Sequence, residues 1–179
     1  MIYAQETSVS VEKSRAELET ILTRYGANCF GYMTNETHAA IGFRAKNRNV
    51  KFVLPLPRRD EKRFWYTPAR RNRRTDQEAY REWEQACRSA WRSLLLCVKA
   101  KLEAVSAGIT TFEAEFLAHF VLNDGRTFGE MAIPSLDGTI SSGALPLLLP
   151  ESTESKAERN DHNRDAIVDA VFTPLEKAT

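Results

Sequence analysis

The densest group of side chains able to bind a charged ligand lies between Arg58 and Arg74, in the stretch RRDEKRFWYTPARRNRR. Its seventeen residues hold eight cations and two carboxylates around the consecutive aromatic residues Phe64, Trp65 and Tyr66. Arginine supplies seven of these cations; its planar fork of donors matches phosphate oxygens and is easier to desolvate than lysine. Aromatic rings beside such cations can stack on bases, a contact worth about 1–3 kcal/mol per base in single-strand binders. The segment therefore predicts a nucleic-acid-binding loop, with single-stranded DNA as the favoured partner.

A second row of cations follows this loop. Arg81, Arg88, Arg92 and Lys99 recur at intervals of seven, four and seven residues, which places them on one side of a helix. Loop and helix together predict the edge of a groove, in which the cations contact phosphates and Trp65 or Tyr66 stacks on bases. The predicted contact residues are Arg58, Arg59, Lys62, Arg63, Trp65, Tyr66, Arg70, Arg71, Arg73, Arg74, Arg81, Arg88 and Arg92.

This hypothesis has two consequences. Binding should weaken steeply with salt, because each phosphate contact releases counterions. Replacing the last four arginines of the loop by alanine should lower the affinity without unfolding the protein.

Two other roles for the same segment stay open. Trp, Tyr and Arg are favoured at the centres of protein interfaces, so the segment could bind a host protein or a second copy of this chain, giving a homo-oligomer. Alternatively, the rings fold back onto the core and neighbouring carboxylates neutralise the arginines, which leaves an ordinary charged loop. Ultraviolet absorbance of protein purified at low salt would reveal co-purifying nucleic acid, and a sizing column would reveal self-association.

Motifs for enzymatic chemistry are missing from the sequence. It contains no glycine-rich phosphate-binding loop and no G-x-S-x-G nucleophile motif, and its three histidines are widely separated. Four carboxylates near the end of the domain could serve a metal-dependent nuclease if the fold brought them together: Glu113, Glu115, Asp124 and Glu130. Capping, turn and surface roles explain each of them separately. We therefore assign no catalytic residue, cofactor or metal, and favour a binding protein over an enzyme.

Composition indicates a soluble protein with a hydrophobic core. Of the 179 residues, 42% are hydrophobic and 27% are charged, values typical of globular domains. The N-terminus lacks the basic and apolar regions of a signal peptide, and no apolar stretch is long enough to span a bilayer. Cys29, Cys87 and Cys97 form no C-x-x-C pair, which favours reduced thiols. A cytoplasmic protein without a membrane partner is expected.

Hydrophobic periodicity predicts an α+β fold. Apolar residues at helical spacing over 10–26 predict a first helix, and alternation over 29–57 predicts a three-stranded antiparallel meander. The capping-box sequence TDQE at 75–78 opens a long helix that ends near Ala107 and packs on the sheet. Its apolar stripe begins at Tyr80. Pro68 disfavours a helix through the basic segment.

The end of the domain allows two interpretations. TTFE at 110–113 matches a capping box and predicts a short helix. Alternation over 116–122, followed by the turn sequence NDG, predicts a C-terminal hairpin whose second strand is RTFGEMAIP. Phe112, Phe116 and Phe120, four residues apart, would instead form one face of a helix.

We expect one domain over residues 1–150, followed by an irregular, acidic and flexible tail over 151–179. GALPLLLP at 143–150 is expected to lie on the core, and DAIVDAVF at 165–172 could form a short helix. The tail holds seven carboxylates and four cations, so it could fold back and screen the basic loop. Deleting the tail should then strengthen binding.

A set of phrases between residues 9 and 150 is distinctive when taken in order: VSVEKSRAELETILTRYGA, KFVLPLP, TPARR, EWEQACRSAWRSLLL, VKAKLEAVSAGITTFEAEFLAHFVLNDG and LPLLLP. In these phrases the chain resembles a family of small phage and prophage proteins without an established activity. Members generally end near the LLP phrase, so the tail is a departure. The resemblance implies a phage-derived gene acting in a bacterial cytoplasm, in replication, recombination or counter-defence, and it transfers no catalytic residue.

Overall fold

The computed structural model describes Ala4, residues 6–69 and residues 72–142, the last six of these as backbone only. Arg70 and Arg71 lie outside the described residues. The segment 143–150, the acidic tail and the helix predicted at 165–172 also lie outside the described residues. Within the described part of the chain, no helix is both long enough and apolar enough to cross a membrane.

The first helix and the meander are confirmed. Helix α1, Val11–Arg24, begins at Ser10, whose hydroxyl accepts the amide of Lys13 at 3.2 Å. Three strands follow and form one antiparallel sheet in the order β1-β2-β3: β1 (Cys29–Thr34), β2 (His38–Ala45) and β3 (Arg48–Pro55). The central strand β2 is buried along most of its length, because it has a neighbour on either side.

The long helix α3, Asp76–Ser106, packs on one face of this sheet. Thr75 caps its first turn, and Glu78 reaches back to the Thr75 amide at 2.8 Å, so the predicted capping box is confirmed. The helix is about 46 Å long. Its middle and last turns bury Trp91, Leu95 and Val98 in the core, whereas Tyr80 in the first turn is exposed.

The predicted C-terminal hairpin is wrong in its second strand and in most of its first strand, 116–122. Helix α4, Phe112–Phe116, runs into a 3₁₀ turn at Leu117–His119, and a single bridge, Val121 with Thr127, flanks the NDG turn in the described residues. Helix α5, Phe128–Ser142, replaces the second strand. The cap of α4 is Thr111 rather than Thr110.

A second capping box explains α5. The Thr127 amide donates to Glu130 Oε2 at 2.7 Å, and the Glu130 amide donates to Thr127 Oγ1 at 3.2 Å. This reciprocal cap satisfies two amides that a helix start would otherwise leave without partners. The residues after the NDG turn therefore form a helix and not the predicted second strand.

His119 should make stability depend on pH. Its ring stacks on Phe52 with centroids 3.9 Å apart, and burial together with the charge of Lys101 lowers its pKa. Because the unfolded chain binds this proton more readily, the free energy of unfolding should decrease as the pH falls below the ordinary histidine value of about 6.5, until the lowered folded-state pKa is passed.

Urea unfolding at a series of pH values checks this prediction. His119→Gln should remove this part of the pH dependence, and His38→Gln, at an exposed position, should leave it in place. Identical pH profiles for the parent protein and His119→Gln would contradict it.

Candidate nucleic-acid interface

The basic segment lies between β3 and α3, and its described residues are 58–69 and 72–74. It contains one turn of helix, α2 (Lys62–Trp65), which ends before Pro68. Tyr66 and Arg73 then form an isolated antiparallel bridge, and the Arg74 amide donates to the Trp65 carbonyl at 2.8 Å. The two described parts of this loop, at 66–69 and 72–73, are therefore held together by backbone hydrogen bonds.

The three consecutive aromatic residues of this segment have different environments. Phe64 is buried, and Trp65 is half-buried with its indole N–H donating to the Arg59 carbonyl at 3.0 Å. Tyr66 is 40% exposed. Of the two rings predicted to stack on bases, Tyr66 is therefore the more accessible.

Tyr80, on the first turn of α3, is a second accessible ring, although its spacing had placed it on the apolar stripe. The Arg59 guanidinium lies 5.1 Å from the Tyr80 ring centroid. Sequence reasoning missed this residue because the first turn of α3 lies beyond the part of the helix that the sheet covers.

Several of the predicted contact arginines are paired with carboxylates. Arg58 binds Asp60 at 2.6 Å, and Arg63 binds Glu61 at 2.7 Å. The hydrogen bond from Arg58 lowers the pKa of Asp60, so this carboxylate stays ionised. Both pairs are solvent-exposed and contribute little to stability, but they reduce the charge that these arginines present to a polyanion.

Arg74 has a structural role. Its Nη1 donates to the carbonyl oxygens of Tyr66 at 2.7 Å, Arg63 at 3.1 Å and Phe64 at 3.4 Å. The side chain is 17% exposed, and Glu82 lies 3.6 Å from Nη2. The expectation that all four arginines at the end of the loop can be replaced without affecting the fold therefore does not hold for Arg74.

The predicted row of cations on α3 is also divided. Arg88 binds Glu84 at 3.2 Å, and Arg92 binds Glu17 of α1 at 2.6 Å. Arg81 is exposed. The two arginines further along the helix are thus engaged with neighbouring acids, and the first remains open to solvent.

Four of the predicted contact cations are exposed and have no carboxylate within 4.0 Å among the residues that the structure describes: Arg59, Lys62, Arg73 and Arg81. Trp65 connects two of them, because its indole binds the Arg59 carbonyl and its ring lies 5.6 Å from the Arg73 guanidinium. We name the exposed set Arg59, Lys62, Tyr66, Arg73 and Tyr80, together with Trp65, the basic–aromatic surface.

Two clefts adjoin Arg63 and differ in charge. The cleft beside Tyr66 has a volume of about 570 Å³ and presents three cations and one carboxylate: Lys62, Arg63, Arg74 and Glu82. The cleft beside Pro57 has a volume of about 650 Å³ and presents one cation and three carboxylates: Arg63, Glu6, Glu61 and Glu82. Repulsion by carboxylates disfavours a phosphate chain in the second cleft, so a polyanion should follow the first.

Comparisons with protein-family models, with curated proteins and with solved structures found no match to this chain. The resemblance to phage and prophage proteins therefore stays a prediction.

Proposed function

We propose that this protein binds single-stranded nucleic acid, with DNA favoured over RNA, through the basic–aromatic surface and without catalysing a reaction. One observation carries the proposal: the exposed Tyr66 borders a cleft that is also lined by Lys62, a cation without a carboxylate within 4.0 Å in the described residues. The free cations around it extend the positive surface beyond the cleft.

The geometry favours a single strand over a duplex. Tyr66 offers a ring to an unstacked base, and Lys62 and Arg63 line the same cleft where they can hold the adjoining phosphates. A duplex keeps its bases stacked and would use the cations alone. A bacteriophage protein acting on replication or recombination intermediates would meet single strands, which agrees with the context that the resemblance implies.

Charge and stacking can be tested separately by fluorescence anisotropy with a labelled oligothymidylate. Replacing Arg59, Lys62 and Arg73 together by glutamine should lower the affinity about 10–100-fold at low salt. It should also make the slope of log K against log salt less negative by about 2, because each single-strand phosphate contact contributes about 0.7. The matched control replaces the exposed cations Lys13, Arg24 and Lys46 by glutamine, and should change the affinity little.

Tyr66→Ala should act through stacking. We expect an affinity loss of about 5–150-fold, corresponding to about 1–3 kcal/mol for one stacked base, with the salt slope unchanged. Affinity of the parent protein that does not change between about 50 and 200 mM salt would contradict the proposal. So would an equal loss in the charge variant and its control.

A second candidate function is a protein contact, as a phage factor that binds a host protein or assembles with itself. The mixed-charge cleft beside Pro57 favours it, because carboxylates and Arg63 occur there together and Tyr and Arg are common interface anchors. A sizing column separates the two functions. Protein that carries no nucleic acid at low salt and elutes as an oligomer would favour the protein contact.

A further inference from the structure

Lys51 is a buried lysine without a carboxylate partner in the described part of the chain. Side chains alternate along β3, so Lys51 points away from the face that carries Val50 and Phe52. The residue is 5% exposed. Its Nζ donates to the Gly125 carbonyl at 3.4 Å, a long hydrogen bond, and no carboxylate of the described residues lies within 4.0 Å.

The Lys51 ammonium can donate to further hydrogen-bond acceptors. An ammonium group has three donors, and one long contact uses only one of them. Burying a charged group is strongly unfavourable unless it is paired or fully hydrogen-bonded. An anion bound at Lys51 would supply both the missing charge and the missing acceptors.

Lys51 lines a pocket of about 390 Å³ at the edge of β3. His119 also lines this pocket, and its imidazole is hydrogen-bonded to the Lys51 backbone. The apolar part of the lining comes mainly from Val53, Ile133 and Pro134. A ligand with one anionic end and a small apolar remainder fits this combination of surfaces.

The start of α5 forms another wall of the pocket, at Thr127 and Gly129. The N-terminus of this fifteen-residue helix attracts negative charge. Glycine at 129 allows the backbone to lie close to the preceding turn, because a Cβ there would be 2.8 Å from the Ala118 carbonyl oxygen. Glu130 is the one described carboxylate in the lining, and its Oε2 is engaged by the Thr127 amide at 2.7 Å.

We propose that Lys51, His119 and the first turn of α5 form a binding site for a small oxyanion, such as a phosphate or a carboxylate group. The Lys51 ammonium donates to the anionic oxygens, and the neutral His119 forms part of the wall of the site. Because its pKa is lowered, His119 is neutral at pH 7 and Lys51 supplies the positive charge. The site is separate from the basic–aromatic surface and does not depend on nucleic-acid binding.

The test is a titration of the full-length protein, followed by backbone amide NMR shifts, with inorganic phosphate and separately with acetate. Either probe should produce saturable shifts at Gly125, Thr127 and Gly129. Lys51→Met keeps the apolar stem of the side chain and removes the ammonium, so it should abolish these shifts. Lys13→Met, at an exposed position, is the matched control and should bind as the parent protein does.

A thermal measurement gives an independent readout. Raising the phosphate concentration to about tenfold above Kd should increase the melting temperature of the parent protein by about 3–5 °C more than that of Lys51→Met. Both proteins are measured with the same change of buffer. Oligonucleotide affinity should be equal in the two proteins, which separates this site from the proposed function.

Absence of saturable shifts with both probes would overturn the proposal, as would identical shifts in the parent protein and Lys51→Met. If Lys51→Met does not fold, the positions of the shifted amides in the parent protein provide the test. Shifts confined to the pocket amides support the site, and shifts spread over the exposed arginines overturn it.

Discussion

Replacing Arg74 by alanine should lower the free energy of unfolding by about 2–4 kcal/mol, whereas Arg58→Ala should lower it by less than about 0.5 kcal/mol. Both changes remove one arginine from the same segment, so they alter the net charge equally. The difference lies in their surroundings. Arg58 binds a single exposed carboxylate, Asp60, and water can replace that contact.

Arg74, the last residue of the segment, holds it together through its side chain. Its guanidinium donates to carbonyl groups of Arg63, Phe64 and Tyr66, which belong to α2 and to the start of the loop. A charged donor makes these hydrogen bonds stronger than those between neutral groups. Without it, the carbonyls lose a partner that alanine cannot replace, and α2, which has a single turn, loses its hydrogen bonds to the residue just before the N-cap of α3.

Urea unfolding of the two variants measures this difference. Arg74→Lys adds a useful intermediate, because an ammonium group keeps the charge but cannot reproduce the geometry of the guanidinium. We expect it to recover less than half of the loss. Equal stabilities of Arg74→Ala and Arg58→Ala would contradict the structural role of Arg74.

Arg73 and Arg74 show where sequence reasoning about the site stops. They are adjacent, chemically identical and part of one basic cluster, yet Arg73 is exposed beside Trp65 and Arg74 is mostly covered. Their roles are set by carbonyl groups about ten residues earlier in the chain. The spacing of residues along the chain does not reveal such contacts. The sequence therefore predicts a cluster of arginines but not which arginine is exposed and which is structural.

Arg92 shows the same limitation over a longer distance. Its partner Glu17 belongs to α1 and lies 75 residues away in the sequence. Helical spacing correctly places Arg92 on a helix but does not reveal which acid packs beside it. An ion pair of this kind depends on how α1 and α3 pack together, and that packing is a property of the whole fold.

Elements with local signals were predictable. Thr75 caps α3 as expected, because a cap is completed by residues two or three positions away. The start of α5 carried an equally local signal in Thr127 and Glu130. The alternation before the NDG turn predicts a second strand after it, whereas the Thr127–Glu130 capping box predicts a helix there. The capping box is the signal that the structure follows.

The second large effect is expected at Phe116, where alanine should lower the free energy of unfolding by about 3–5 kcal/mol. Phe116 is fully buried, at 0% exposure. Its ring stacks on Phe112 with centroids 4.7 Å apart, and it meets Phe43 and Phe52 edge-on at 6.1 and 6.2 Å. Removing the ring opens a cavity between the sheet and α4 that rigid neighbours cannot fill.

Leu117→Ala is the matched control for Phe116→Ala, because the next side chain along the chain is 45% exposed. It should lower the free energy of unfolding by less than about 1 kcal/mol.

Hydrogen exchange then distinguishes two ways in which Phe116→Ala could act. If residues 112–142 belong to the same cooperative unit as the sheet, amide protection should fall in both by the same factor. Loss of protection in α4 and α5 alone, with the sheet unchanged, would show instead that the aromatic cluster attaches a separately unfolding segment, and the Lys51 pocket would open with it.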